Sequence, residues 1–342
     1  MRVLQVMAGA EYGGAEAFFT RLVVALRHAG LHQRVVIRKN EHRAGILRDH
    51  GIEPVELRFG GPLDVWTWLG LKREIDSFFP HLVLTWMNRA TSKCPKGDFV
   101  HVARLGGYYD LKYYQNCDHL VGNTADIVEY LTGKGWPAER AHYLPNFVSA
   151  ETATPLPREQ FYTPKEAPLL LAMGRLHENK AFDVLLDALA RIPDAYLWLA
   201  GEGPKRAELE KQAEKLGIKP RVRFLGWRDD IAALLTTCDI FVCPSRHEPL
   251  GNVVVEAWAQ SKPVVAADSL GPGVLIDQHE NGLLVPVDDS QSLAYGIQQV
   301  LSDENLRSAL ARHGRTTYEE RFTEDMVVSQ YLKFFESLVK KD

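Results

Sequence analysis

The feature that most constrains this chain is a repeated alternation of short apolar runs and helical stretches. In the first half, the sequence predicts strands at Val3–Met7, Arg34–Arg38, Leu82–Thr85, Phe99–Leu105 and His119–Gly122, and helices at Ala15–Ala29 and Asp126–Thr132. Apolar strands that alternate with helices indicate a parallel sheet that is covered on both faces. The first half is therefore expected to form a doubly wound α/β domain.

The same alternation begins again after a segment rich in proline. Four prolines punctuate the polar stretch from Ser149 to Pro168, which predicts an interdomain linker over 151–168. The chain then predicts strands at Leu169–Met173, Ala195–Ala200, Val222–Leu225, Ile240–Cys243 and Val264–Ala267, and helices at Asp183–Ala190, Pro204–Leu216, Ile231–Thr236 and Val253–Gln260. Because 342 residues exceed one ordinary core, we expect Rossmann-like domains at 1–150 and 169–325, with a ligand cleft between them.

Composition narrows the class of protein further. A net charge of −4 argues against a broad nucleic-acid-binding surface, which needs an excess of basic residues. No run reaches the 18 or so apolar residues of a membrane-spanning helix, and Met1–Val6 is too short for a signal peptide. The four cysteines form no C-x-x-C pair, so we expect free thiols in a reducing compartment. These observations predict a cytoplasmic protein, either free or held on a membrane surface.

The strongest functional signal is the stretch from Pro244 to Ala257, between a predicted strand and a predicted helix. Gly251-Asn252 would begin that helix, and the free N–H groups of a helix N-terminus favour an anion such as phosphate. Glu248 precedes the helix, and Glu256 lies about 7 Å along its axis. Two carboxylates beside a phosphate site suit a ligand with hydroxyl groups on both sides of a diphosphate. A nucleotide sugar has that shape.

Cations for the diphosphate are found in a second loop. The run Gly174-Arg175-Leu176-His177-Glu178-Asn179-Lys180 follows the first strand of the second half. Arg175 and Lys180 would then lie at a strand's carboxyl end, where they could neutralise a leaving diphosphate. Two such loops, each after a strand and about seventy residues apart, indicate a nucleotide-sugar site more specifically than either loop does alone.

With these loops in place, the second half resembles the retaining GT-B glycosyltransferases of family 4. The matching pieces, in the family's order, are Gly174-Arg175-Leu176 with Lys180, Gly201-Glu202-Gly203-Pro204, Phe224-Leu225-Gly226, Asp239–Ser245, Glu248 with Glu256-Ala257, Lys262–Ala266 and Asn281–Val285. The first half matches more thinly, at Gly13-Gly14-Ala15-Glu16 and Pro145-Asn146. The resemblance implies a C-terminal helix, at about 326–342, that crosses back to the first domain.

The resemblance also implies site residues. Arg175, Lys180 and Glu248 would be catalytic. The donor would contact Gly14, Arg175, Lys180, Trp227, Glu248, Leu250, Gly251, Asn252, Val253 and Glu256, and the acceptor side would include Gly13, Arg104, Gly107 and Tyr108. The implied partners are a UDP- or GDP-sugar donor and a glycan or glycolipid acceptor such as lipopolysaccharide core, with contact to the cytoplasmic face of the inner membrane. No metal or other cofactor is implied.

The sequence departs from the family at one place and leaves alternatives open. Relatives often carry a histidine after the strand that corresponds to Phe99–Leu105, whereas this chain reads Arg104-Leu105-Gly106-Gly107-Tyr108, with His101 inside the strand. A degenerate nucleotide-sugar-binding protein and an isomerase or phosphorylase on the same scaffold remain open. An NAD-dependent oxidoreductase is disfavoured, since the opening turn lacks G-x-G-x-x-G. Aromatic and basic residues of the first half either pack normally or form an acceptor- or membrane-facing surface: Trp66, Trp68, Trp86, Arg89, Lys93, Lys96, Tyr108, Tyr109, Lys112, Tyr113 and Tyr114.

Overall fold

The computed structural model describes residues 1–11, 13–61 and 63–339. The chain divides into two compact units, one formed by Met1–Phe147 with the chain from Glu324 onward, and the other by Val148–Thr323. No helix of the described residues is both long enough and apolar enough to cross a membrane.

The first unit contains a parallel sheet. Its strands are β1 (Arg2–Met7), β2 (His32–Arg38), β3 (Val55–Leu57), β4 (Leu82–Trp86), β5 (Val100–Leu105), β6 (His119–Gly122) and β7 (Ala141–Tyr143). They lie in the order β3-β2-β1-β4-β5-β6-β7. The strand order reverses between β1 and β4, so the loops after these two strands leave the sheet on either side of a switch point, where ligands commonly bind.

Helices cover this sheet. They are α1 (Gly14–His28), α2 (Glu41–Asp49), α3 (Val65–Phe78), α4 (Met87–Lys93) and α5 (Ala125–Gly133). On α1 the apolar side chains recur at helical spacing, and Phe18, Phe19 and Leu22 are completely buried. This amphipathic pattern holds the helix against the sheet.

The second unit repeats the arrangement. Its strands are β8 (Leu169–Met173), β9 (Tyr196–Ala200), β10 (Val222–Gly226), β11 (Ile240–Cys243), β12 (Val264–Ala267) and β13 (Leu283–Val285), and its helices are α6 (Phe182–Leu189), α7 (Arg206–Lys215), α8 (Ile231–Thr237), α9 (Asn252–Ala259), α10 (Leu270–Leu275), α11 (Ser290–Ser302) and α12 (Glu304–Arg321). The strands are parallel in the order β10-β9-β8-β11-β12-β13. Three of these strands, β8, β11 and β12, are buried along their full length, as expected for a sheet with helices on both faces.

The segment predicted as a linker, 151–168, lies within the second unit. The backbone N–H of Leu156 donates to Thr237 Oγ1 at 2.7 Å, and Arg158 Nη2 donates to Asp239 Oδ1 at 2.8 Å. Thr163 is buried and accepts a hydrogen bond from Trp198 Nε1 at 2.9 Å. The segment rich in proline and polar residues is therefore an ordered part of the second unit, because its hydrogen bonds are made to that unit.

The C-terminal helix α13 (Glu324–Val339) belongs to the first unit, which agrees with the predicted return of the chain. Its buried residues include Val327, Tyr331 and Phe335, which pack in the same core as α1. The final three residues of the predicted C-terminal segment, 340–342, lie outside the described residues.

Arg104, predicted for the acceptor side, instead lies in the core of the first unit. Its side chain is buried, and Nε donates to the Tyr331 hydroxyl at 2.7 Å, while Nη2 donates to Asn146 Oδ1. The guanidinium also lies over the rings of Trp86 and Phe18, at 4.5 and 4.8 Å from their centroids. These contacts tie β5 to α13, so Arg104 supports the fold and is not exposed to an acceptor.

The cysteines are free thiols, as the sequence predicts. Cys117, Cys238 and Cys243 are buried, and Cys94 is half-buried. Burial raises the pKa of Cys94 and of Cys238 to about 12, and that of Cys243 to about 11. At neutral pH these side chains are therefore protonated and act as small apolar groups.

Candidate functional site

The predicted donor loops lie side by side at the switch point of the second sheet. The order of its strands reverses between β8 and β11, which are hydrogen-bonded neighbours. The loop 174–180 follows β8, and the loop 244–251 follows β11. Because both strands run in the same direction, both loops leave from the carboxyl edge of the sheet, where α/β proteins bind their ligands.

Direct contacts join these two loops. The backbone N–H of His247 donates to the Asn179 carbonyl oxygen at 3.1 Å. Lys180 Nζ forms an ion pair with Glu248 Oε2, and both side chains are largely buried. Lys180 is therefore not an ordinary exposed lysine, and Glu248 is not a solvated loop acid. The two stretches therefore contact each other at this edge of the sheet, and their binding of a donor stays a prediction.

Arg246 braces the pocket, a role that the sequence did not reveal. Its guanidinium donates to both carboxylate oxygens of Asp183, at 2.9 and 2.6 Å, and to the Glu178 carbonyl oxygen at 2.9 Å. Nε also pairs with Asp288 Oδ1 at 2.5 Å. Hydrogen bonding to Asp183 raises the pKa of Arg246 further above its usual value. Arg246 therefore fixes the two loops relative to α6. Its own charge is engaged by carboxylates, so Arg175 and Lys180 remain the cations predicted to meet a phosphate.

The helix that was expected to meet the phosphate begins where predicted. Gly251 is the N-cap of α9, with φ of 64°, and a Cβ there would lie only 2.6 Å from Leu275 Cδ1. Because the N-cap residue is glycine, it supplies no side-chain cap to α9. The N–H of Gly271 donates to the Glu248 carbonyl oxygen at 2.7 Å, which holds the loop before the helix. This geometry presents a helix N-terminus beside Lys180 and Glu248.

The remaining predicted donor residues in this region are partly exposed. Leu250, Asn252, Val253 and Glu256 are half-buried, with Glu256 on the second turn of α9. Arg175 is exposed, directly after β8, and its side chain makes no hydrogen bond or ion pair with a described residue. An ion pair between Arg175 and Glu178 is therefore absent from the described contacts, and the guanidinium is available to a ligand.

Glycines at the ends of β8 and β9 bring the backbone of neighbouring loops close together. Gly201 has φ of 144°, and a Cβ there would collide with the Gly174 carbonyl oxygen. The N–H of Leu176 donates to the Glu202 carbonyl oxygen at 3.0 Å. The run 201–204 thus turns the chain into α7, as predicted, and at the same time supports the loop that carries Arg175 and Lys180.

Trp227 lies just beyond β10, at the same edge of the second sheet. It is 75% exposed, and its Nε1 donates to Asp229 Oδ1 at 3.0 Å. Because most of its ring faces solvent, the side chain is free to stack on a planar ligand.

The glycines of the first unit play different local roles. A Cβ on Gly13 would collide with the buried carboxylate of Glu16, which also accepts a hydrogen bond from Ala10 N at 2.7 Å. A Cβ on Gly14 would meet nothing within 4 Å. Glycine at position 13 therefore leaves room for the Glu16 carboxylate, whereas no described residue lies close enough to require glycine at position 14.

The other residues predicted for the acceptor side lie after β5. Tyr108 is exposed, donates its hydroxyl to Asp126 and packs edge-on against Tyr130 with ring centroids 5.2 Å apart. A Cβ on Gly107 would be in ordinary contact with Tyr109, 3.7 Å away. His101 is buried, lies 3.0 Å from Thr85 Oγ1 through Nε2, and has its pKa lowered by burial to about 4. It is a core histidine, as its position inside the strand suggests.

Comparisons with known proteins show the family to which the chain belongs. Residues 155–317 match the family model described as Glycosyl transferases group 1. The chain is 38% identical to the lipopolysaccharide core biosynthesis glycosyltransferase LpsE of Rhizobium meliloti, over 95% of this chain and 96% of that protein. It is 34% identical to LpsD of the same organism, over the full length of both proteins.

A solved structure shows the same fold. The crystal structure of Anabaena Alr3699/HepE in complex with UDP aligns with a TM-score of 0.85 and 22% identity, over 98% of this chain and 100% of that one. The expected GT-B class, with two doubly wound parallel sheets, is therefore confirmed. Full-length similarity to two curated enzymes and the match to the family model lead to one conclusion: this chain is a glycosyltransferase of the family Glycosyl transferases group 1.

Proposed function

We propose that this glycosyltransferase transfers a sugar from a nucleotide-diphosphate donor, a UDP- or GDP-sugar, with retention of the anomeric configuration. The acceptor is a glycan or glycolipid of the lipopolysaccharide core type. The observation that carries the proposal is the ion pair of Lys180 and Glu248, which joins two loops at the switch point beside the start of α9. The names of the two Rhizobium relatives support the acceptor class, and the UDP complex of the Anabaena protein supports the donor class.

The donor-binding roles follow from charge and hydrogen-bonding capacity. Arg175 and Lys180 supply positive charge for the diphosphate, and the N–H groups of Gly251, Asn252 and Val253 at the start of α9 add to it. When a diphosphate draws Lys180 toward itself, Glu248 becomes available to accept hydrogen bonds from hydroxyls of the transferred sugar. Glu256 accepts from the ribose, Leu250 lines the path between them, and Trp227 borders the base.

The proposed reaction needs no covalent bond between sugar and protein. The acceptor oxygen attacks the anomeric carbon on the face from which the diphosphate leaves, and the bond between that carbon and the β-phosphate oxygen breaks. The acceptor's proton passes to an oxygen of the departing diphosphate. The protein contributes position and electrostatic stabilisation, through Lys180, Arg175 and the N-terminus of α9. In this proposal the first unit carries the acceptor side, including Gly13, Gly107 and Tyr108, and the enzyme works at the cytoplasmic face of the inner membrane.

Ligand-dependent thermal unfolding with UDP-, GDP- and ADP-sugars tests the donor. A specific donor present at about 100 times its Kd stabilises the folded protein by about 2.7 kcal/mol. NMR analysis of the glycosidic bond formed on a lipopolysaccharide core acceptor then gives its anomeric configuration. Inverted product would contradict retention. Binding without transfer to any core acceptor would favour the degenerate binding protein, and rearrangement of the donor without an acceptor would favour an isomerase.

Replacing Trp227 with alanine should weaken donor binding about tenfold while leaving the fold intact. The loss of a base stacked on an aromatic ring costs about 1–3 kcal/mol, and the exposed Trp227 ring contributes little to the core. Isothermal titration with the donor measures the change. Tyr295→Ala is the matched control, because Tyr295 is 62% exposed on α11 of the same unit. Equal affinities of Trp227→Ala and the control would remove Trp227 from the donor site.

A further inference from the structure

A patch of large apolar side chains on the first unit lies open to solvent. It consists of Leu63, Val65, Trp66, Trp68 and Leu69, and is called the apolar patch below. Leu63 is 92% exposed and Trp66 is 70% exposed. Single exposed apolar residues are common on proteins, but five within seven positions form a contiguous surface that normally marks an interaction site.

The apolar patch is held in place by a hydrogen-bonded turn at the start of α3. Asp64 accepts hydrogen bonds from Gly60 N at 2.6 Å, from Thr67 N at 3.1 Å and from Thr67 Oγ1 at 2.6 Å. These hydrogen bonds lower the pKa of Asp64 to about 2. Lys93 Nζ donates to the Gly61 carbonyl oxygen at 2.9 Å. The apolar side chains therefore face outward from an ordered helix whose opposite side is anchored.

Packing beneath the helix fixes which side faces solvent. Thr67 and Leu71 are buried, and a Cβ on Gly70 would lie 2.8 Å from Leu57 Cδ2. Glycine at position 70 thus lets α3 approach β3 closely on its inner side. Trp66 and Leu69, three residues apart, are left together on the outer side.

Basic side chains surround the apolar patch. Arg73 lies one helical turn after Leu69, and Arg58 lies just before the turn that precedes α3. Arg89 lies one turn before Lys93 on α4, and therefore on the helix face that reaches this turn. All three arginines are exposed, and none makes an ion pair or hydrogen bond through its side chain with a described residue.

Acidic groups near the patch are already engaged. Asp64 is held by the turn, Asp76 pairs with Lys72 at 3.2 Å, and Glu74 pairs with Arg34 at 2.9 Å. Although the whole chain carries a net charge of −4, this surface therefore offers unpaired positive charge.

We infer that the apolar patch docks on a lipid bilayer that contains anionic phospholipids. Tryptophan and leucine on one convex helix face, with arginine beside them, are the combination that inserts shallowly at a membrane interface. The arginines complement anionic headgroups, which attract basic side chains near the surface. Because the sheet is parallel, α3 begins at the same carboxyl edge of the first sheet as Gly14 and the turn after β5. The docking itself does not depend on the proposed function. Only its purpose, to bring this edge of the sheet to a lipid-linked acceptor, rests on that function.

Flotation with vesicles of phosphatidylcholine containing phosphatidylglycerol tests the inference. The wild-type protein is expected to float with these vesicles and much less with phosphatidylcholine alone. The double variant Trp66→Ser with Leu69→Ser is expected to lose at least about tenfold in partitioning, since two buried apolar side chains are removed. The double variant Arg58→Gln with Arg73→Gln is expected to partition into these vesicles about fivefold less for each arginine removed, at low salt. Tyr295→Ser, on an exposed position of the second unit, should partition as the wild type does.

The outcomes separate this inference from the proposed function. Wild-type protein that does not float, or an apolar double variant that floats equally well, overturns it. A wild-type dimer that the apolar variant converts to monomer, without vesicle binding, would assign the patch to a second copy of the chain instead. Thermal shift with a nucleotide sugar should be unchanged in all variants, which also shows that they are folded. Vesicle binding without any nucleotide-sugar binding would contradict the proposed function, whereas the inferred membrane-docking surface would still be supported.

Discussion

Replacing Lys180 with alanine is expected to lower kcat/KM for the nucleotide sugar by about 10²–10³-fold. Lys180 is the cation that the structure places closest to Glu248, in a pocket where both side chains are largely buried. In the proposed reaction negative charge develops on the leaving diphosphate. The loss of one preorganised electrostatic partner at such a position usually costs about 3–4 kcal/mol of transition-state stabilisation. The effect should appear mainly in kcat, because charge on the leaving group is greatest in the transition state.

The matched control is Lys219→Ala, which removes a lysine of the same unit that is exposed and pairs with Glu214 at 3.3 Å. It should retain wild-type kinetics. Thermal unfolding of both variants shows whether the uncompensated Glu248 carboxylate destabilises the second unit. Steady-state transfer with a folded Lys180→Ala protein that matches the wild type would remove Lys180 from catalysis and contradict the proposed site.

Replacing Arg104 with leucine is expected to lower the free energy of unfolding of the first unit by about 3 kcal/mol. The substitution removes donors from the buried Tyr331 hydroxyl and from Asn146, and it removes the cation that lies over Trp86 and Phe18. Unpaired buried polar groups each cost about 1–3 kcal/mol, and the cation–π contacts add to this. Leucine fills part of the space but satisfies neither group.

Urea unfolding followed by circular dichroism measures the effect, with Arg48→Leu as the control. Arg48 is exposed on α2 and pairs with Glu53 at 3.0 Å, so its loss should change stability by less than about 1 kcal/mol. If Arg104→Leu were as stable as the wild type and lost only its affinity for the acceptor, then the acceptor-side role predicted from the sequence would be right and the structural role wrong.

The sequence predicts that the loops carrying Lys180 and Glu248 lie together because both loops follow strands that a periodic pattern reveals. Lys180 and Glu248 each occupy the first loop after an apolar run, and parallel strands bring such loops to one edge. The brace formed by Arg246 is different. Its partner Asp183 is 63 residues away, half-buried in the first turn of α6, and no local pattern connects the two.

Errors at the sequence level have equally local causes. Helix α3 is missing from the sequence-based elements because its apolar residues lie on both sides, with Leu71 buried and Trp66 exposed, which obscures the 3.6-residue period. Strands β3, β7 and β13 have three residues each, too few to show alternation. The resemblance assigns Arg104 to the acceptor side because it falls where relatives often carry a histidine after this strand. Only the tertiary structure shows aromatic rings and two acceptors around it.

The protonated state of the cysteines makes the protein well suited to site-specific labelling. Alkylating reagents react with thiolates, and burial raises the pKa of the thiols of Cys94, Cys117, Cys238 and Cys243, which disfavours their thiolate forms. A maleimide fluorophore attached to a single new thiol, such as that of Trp66→Cys, would therefore report from one known position without removal of the native cysteines. The polarity that this fluorophore senses when vesicles are added would show directly how deeply the start of α3 enters the lipid.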